Sequence, residues 1–205
     1  MKSHVPPPQH NIQAATDIAV RMLAAQSDEQ MAWLGAERAG DLWRLQVLNE
    51  SLNVDITSGR ALGPAGHPVR PAWRLLVLHY LAVRDRPHPA PPAITFADLP
   101  AARTYAKVYR QRVNHRLCAT AGRDLISMCK STAAIGAAPA DGGDAAFDIT
   151  VFPRITTRLI WYASDEEFSP SATLLLPGNI ERFLCIEDIV VLSESIVSRL
   201  SGLPF

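Results

Sequence analysis

Three adjacent acids and one histidine are the residues of this chain best equipped for chemistry. Asp165, Glu166 and Glu167 stand together. Oxygen ligands so close can hold a hard cation, and one of them, once buried, can act as a general acid or base. Consecutive acids in an extended segment point to opposite faces, however, and carboxylates are seldom buried unpaired. A solvated turn, with one carboxylate capping a backbone amine, is therefore the stronger expectation. His79 lies in the apolar run WRLLVLHYLAV, where it is either a ligand or base or a core histidine satisfied by a backbone carbonyl, the commoner case. Tyr80, Trp161 and Phe168 would supply aromatic walls. The candidate ligand-binding set is thus His79, Tyr80, Trp161, Asp165, Glu166, Glu167 and Phe168, with no residue assigned to catalysis or to a metal.

Other constellations carry less. Arg103, Arg110, Arg112 and Arg116 recur within one helical stretch and could bind an anion, although exposed charges usually form a solvated face. Cys118, Cys129 and Cys185 show no CxxC spacing, so structural zinc and iron–sulfur clusters have no local signature. Unpaired thiols fit a reducing cytosol, and no signal-peptide pattern follows Met1. No phosphate-cradling glycine loop, GxSxG elbow or HExxH occurs. A formal net charge of +0 gives no bulk attraction to phosphate, which argues against a nucleic-acid partner. The apolar runs are too short to span a membrane.

The elements that must position these residues follow from periodicity. Phe152 to Leu176 reads as two strands joined by the acidic, proline-punctuated turn: β-branched and aromatic residues dominate, with Leu159 and Trp161 on one face and Arg158, Ile160 and Tyr162 on the other. Phe147, Ile149 and Val151 alternate with Asp148, Thr150 and Phe152 as a preceding strand. Trp43 to Val47 and Leu52 to Ile56 form a hairpin. Helical spacing appears from Asn11 to Leu23, with Ile12, Ala15, Ile18, Ala19, Met22 and Leu23 as its stripe. Further helices are expected over 28–38, 73–83, 101–119, 124–134 and from Ile186 to Leu200. In the helix over 101–119 the inner stripe is Tyr105, Val108, Tyr109 and Val113, and 137–144 is a loop of small residues. Residues 1–10 read as a flexible proline-rich arm, and 11–205 as a single α+β domain. Its antiparallel or mixed sheet is built from hairpins and packed against several α-helices.

The order and spelling of these segments resemble the domain of unknown function 3786 family of bacteria and archaea, over roughly Ile12 to Leu200. The matching pieces are Trp73 to Tyr80, Ile94 to Pro100 with Tyr105, Ala137 to Phe147 with its Gly142–Gly143–Asp144 loop, Phe152 to Ile155, Leu159 to Trp161, Asp165 to Phe168, Pro170 to Ala172, and Glu187–Asp188. The resemblance implies an accessory role near redox, tetrapyrrole or corrinoid metabolism, with a small-molecule ligand or a partner enzyme. The chain departs from the family at Ala101–Ala102, at Ser169 and at Cys185–Ile186, where a proline and a capping threonine are usual. The last change predicts the loss of a helix cap worth about 0.5–2 kcal/mol. The expected function is therefore non-catalytic binding. The alternative is a small metal-dependent or acid/base enzyme using the 165–167 turn and His79.

Overall fold

The computed structural model describes residues 8–88, 92–102 and 105–205. Most of the proline-rich arm, 1–7, and Arg103 lie outside the described residues. The chain divides into two compact units, 1–45 with 51–84, and 46–50 with 85–205. It is an α+β protein with two four-stranded antiparallel sheets and several helices.

In the first unit, α1 (Pro8–Leu23) and α2 (Asp28–Trp33) precede a sheet of β1 (Ala36–Ala39), β2 (Leu42–Val47), β3 (Glu50–Asp55) and β4 (Arg60–Leu62), and α3 (Pro71–Leu81) follows. Alternation places Trp43, Leu45, Leu52 and Val54 in the core. The tip of the β2–β3 hairpin, 46–50, is counted with the second unit. Helix α3 is apolar nearly all round and buries Trp73, Leu76, Val77, Leu78, Tyr80 and Leu81.

Three expectations change here. Helix α1 begins at Pro8, inside the supposed arm, because proline at the start of a helix lacks only an N–H that would be orphaned anyway. Its buried stripe is Thr16, Ala19 and Leu23, whereas Ile18 and Met22 face outward. The helix expected over 28–38 stops at Trp33. Gly35 takes φ +82, the left-handed conformation that ends helices, and Ala36–Ala39 pairs with β2 instead.

In the second unit the sheet runs β5 (Ala138–Ala140), β6 (Ala145–Phe152), β7 (Ile155–Tyr162), β8 (Ser171–Leu175), each antiparallel to its neighbour. Leu159 pairs with both Phe147 and Leu174, so their side chains share the buried face. Trp161 is also buried, and its indole N–H donates to the Gly122 carbonyl at 2.7 Å. On the opposite face Arg158 holds Asp148 through two bonds of 2.7 and 2.9 Å. Phe152 departs from the expected alternation and is fully buried. The register shifts between Thr150 and Phe152, and such an irregularity turns the next side chain inward. β5 forms within the stretch expected to be loop.

Two helical segments pack against this sheet, and a third packs on them. The first is one continuous helix in three parts: α4 (Ala106–Tyr109), a π-helical stretch (Arg110–His115) and α5 (Arg116–Ala119). The others are α6 (Leu125–Ala134) and α7 (Ile186–Leu200). The first begins five residues later than the sequence suggests, and Tyr105 is exposed. Pro100 opens a separate 3-10 turn there. No helix among the described residues is long and apolar enough to cross a membrane.

Candidate functional site

The residues expected to form a site fall in both units. His79 and Tyr80 belong to the first unit. His79 is half-buried, and Tyr80 is fully buried with its hydroxyl donating to the Leu34 carbonyl at 2.6 Å. Trp161 and residues 165–168 belong to the second unit, where the Trp161 indole is already committed. Asp165, Glu166, Glu167 and Phe168 are exposed. Asp165 Oδ1 accepts the backbone N–H groups of Glu167 and Phe168 at 2.9 and 2.7 Å, an Asx turn satisfied by its own chain. Phe168 brings only its backbone to that turn; its ring stays 68% exposed. Among the described residues, no three of His, Cys, Asp or Glu gather as a metal would require.

A different cavity, of about 230 Å³, opens in the second unit where the α4–π–α5 helix passes β8. Its first wall is the 3-10 turn Phe96–Asp98. Thr95 donates its backbone N–H and its hydroxyl to Asp98 Oδ2 at 2.8 and 2.7 Å. These bonds fix the turn and hold the Asp98 carboxyl below its ordinary pKa. The turn delivers Phe96 onto Tyr109, their rings stacked with centroids 4.0 Å apart. The Tyr109 hydroxyl donates to Ser193 Oγ at 3.0 Å, and Ser193 in turn donates to the Ile189 carbonyl at 2.8 Å. Burial pushes the Tyr109 hydroxyl up to about 12. This aromatic wall is rigid and uncharged at neutral pH.

The polar wall is the helix itself. Ala106, Arg110 and Asn114 all line the cavity, and their four-residue spacing puts them on one helix face. Ala106 leaves the space, and Arg110 and Asn114 supply the polar groups. The i→i+5 bonding of the π stretch adds a residue to the turn, a distortion frequent at functional sites. Arg110 is exposed and has no ion pair among the described residues. Asn114 Oδ1 is buried and accepts no hydrogen bond. An unpartnered buried acceptor costs roughly 1–3 kcal/mol, and such atoms are rare enough to need a cause.

Three other buried side-chain atoms among the described residues are unpartnered: Arg74 Nε, Asn179 Oδ1 and Arg199 Nε. Of these, Arg199 lines an open groove of about 430 Å³ with Arg123 and Lys130. Its guanidinium already donates to the Leu203 carbonyl at 3.0 Å, pairs with Glu50 at 2.5 Å, and lies over the Phe205 ring. Arg199 also stands in the last turn of α7, where a cation complements the helix dipole. Structural duty accounts for that residue; nothing comparable accounts for Asn114.

Of the arginines read as an anion patch, Arg110 lines the 230 Å³ cavity, and Arg103 lies outside the described residues. Arg112 pairs with Glu194 at 3.5 Å and Arg116 donates to Ser198 Oγ at 3.1 Å. Sequence reasoning missed Asn114, Thr95 and Thr173. The signal available was the 106/110/114 spacing; what makes it a cavity wall is its position beside β8.

Comparison with known proteins is narrow. No curated protein and no solved structure matches the chain. The family model described as a domain of unknown function (DUF3786) matches residues 28–199, which spans both units and most of the 205 residues. This chain therefore belongs to the DUF3786 family, as its motif order suggests.

Proposed function

We propose that the protein is a small-molecule-binding module whose ligand occupies the cavity between Phe96, Tyr109, Arg110, Asn114 and β8. The observation that carries this reading is a cavity with the locked Phe96–Tyr109 stack on one side and, on the other, Arg110, whose guanidinium has no ion pair among the described residues. Drug-sized ligands use pockets of roughly 300–1,000 Å³. A volume near 230 Å³ therefore supports a small metabolite rather than a tetrapyrrole or corrinoid ring. The ionisable groups of the wall support binding over proton transfer. Tyr109, with its pKa at about 12, keeps its proton at neutral pH, and an arginine does so in any protein. The cysteines, which form no disulfide, support a reducing, cytoplasmic compartment.

The test is a screen of small polar metabolites followed by amide chemical shifts, on the native chain and on Ala106→Leu, which fills the cavity from its own wall. Hits should shift Asn114, Arg110 and Thr173 in the native chain, and binding should fall at least tenfold in Ala106→Leu while the remaining spectrum is preserved. Hits that bind both proteins equally, or that shift only residues elsewhere, would overturn the assignment.

A further inference from the structure

We infer that the chain pairs with a second copy of itself through two patches of the second unit, the exposed face of α6 and the acidic loop between β7 and β8. Neither patch lines the 230 Å³ cavity. On α6, Ile126 is 82% exposed, and Lys130 follows one turn later on the same face. Lys130 is exposed and has no ion pair among the described residues. Arg123, which shares its charge with Asp124 at 3.2 Å, lies with Lys130 along the open groove of about 430 Å³. The helix therefore presents an apolar side chain between two cations.

The loop is its counterpart. Phe168 is largely exposed, and Glu166 and Glu167 before it are exposed and have no ion pair among the described residues. The loop's shape is already set. The Asp165 N–H donates to the Phe168 carbonyl at 3.0 Å, beside the two bonds that Asp165 Oδ1 accepts. A loop ordered beforehand loses little freedom on binding, and a well-held aromatic is the usual anchor of an interface.

Within one chain Phe168 and Ile126 do not bury each other, as their exposure shows. Single exposed apolar residues are ordinary. Here each is flanked by charge of the sign that the other lacks, and such complementarity fixes which surfaces meet. The bond from the Trp161 indole to the Gly122 carbonyl ties the end of β7, where the loop leaves, to the residues just before α6. Both patches thus belong to one end of the second sheet. In a two-fold pair the loop of each copy meets α6 of the other, which closes the assembly. A formal net charge of +0 sets no overall repulsion between copies.

Sedimentation velocity on the full chain tests this, from about 1 μM to about 1 mM protein. The native chain should pass from monomer to dimer over that range, and salt at about 0.5 M should weaken the dimer. Lys130→Glu and Glu167→Lys should each weaken it by about tenfold or more. An equal mixture of those two variants should restore it, because each then supplies the charge that the other needs. A damaged fold would not recover on mixing. Phe168→Ser should also weaken the dimer by about tenfold or more. A chain that stays monomeric at about 1 mM would overturn the inference and leave the patches to a different protein. A dimer untouched by these substitutions, or a mixture that stays monomeric, would overturn it as well.

Discussion

The rings of Phe96 and Tyr109 lie parallel, 4.0 Å between centroids and 1° between planes, and so lock a short 3-10 turn to the helix that walls the cavity. Tyr109 also reaches through its hydroxyl to Ser193 on α7, so one side chain joins three segments of the second unit.

Replacing Tyr109 by Phe keeps the stack and removes the hydroxyl bond, leaving Ser193 its bond to Ile189. A loss of about 1 kcal/mol is expected at neutral pH, measured by denaturant unfolding. The pH dependence has a definite sign. Burial raises the tyrosine from 10.0 to about 12 in the folded chain, so the folded state keeps a proton that the unfolded state releases. This contribution is full below pH about 10 and is lost as pH rises toward about 12. Stability over that interval should fall less steeply in Tyr109→Phe; an unchanged slope would show that the hydroxyl is not buried.

Cys185 occupies the N-cap of α7 in the extended conformation of a capping residue but makes no capping bond. Its thiol donates instead to Asp188 Oδ2 at 3.3 Å. Surrounding protein pushes that thiol up to about 11, so it stays protonated at neutral pH although the residue is partly in solvent. Cys185→Ser puts a competent acceptor where the amides of α7 need one, and should stabilise the protein by about 0.5–2 kcal/mol. Thermal unfolding checks this. A midpoint that stays put or drops would mean that the thiol–Asp188 contact matters more than the cap.

Gly143 turns the chain between β5 and β6 at φ +56, and a Cβ there would lie 2.5 Å from the Trp161 carbonyl oxygen. Gly143→Ala should cost about 2 kcal/mol or more, combining left-handed strain with a backbone clash. Gly202→Ala, at φ +82 with open space, isolates the conformational part and should cost roughly 1–2 kcal/mol. Equal losses in the two variants would remove the clash from the account.

Much of the β-structure was legible because its signal is local. Leu159 and Trp161 face inward and Arg158, Ile160 and Tyr162 outward, as strict alternation requires. The amphipathic stripe of α7 is likewise written in consecutive residues. β1, β4 and β5 were not legible. They are three or four residues long, too short for a period to show, and exist because a neighbouring strand offers them hydrogen bonds.

For the site the division is sharper. Residue chemistry alone drew attention to His79 and the 165–167 acids, because ionisable groups are conspicuous in a sequence. Folding put His79 in one unit, put the acids in the other, and spent Asp165 on its own turn. Arg110 and Asn114 are unremarkable as letters. They become a wall only when the chain brings β8 and the turn at Phe96 against the same helix face. The sequence by itself determined the element types and which faces are apolar, since these follow from nearest neighbours along the chain. The tertiary structure decided which polar atoms were left without partners, because that depends on every residue that packing brings near, from any distance in sequence.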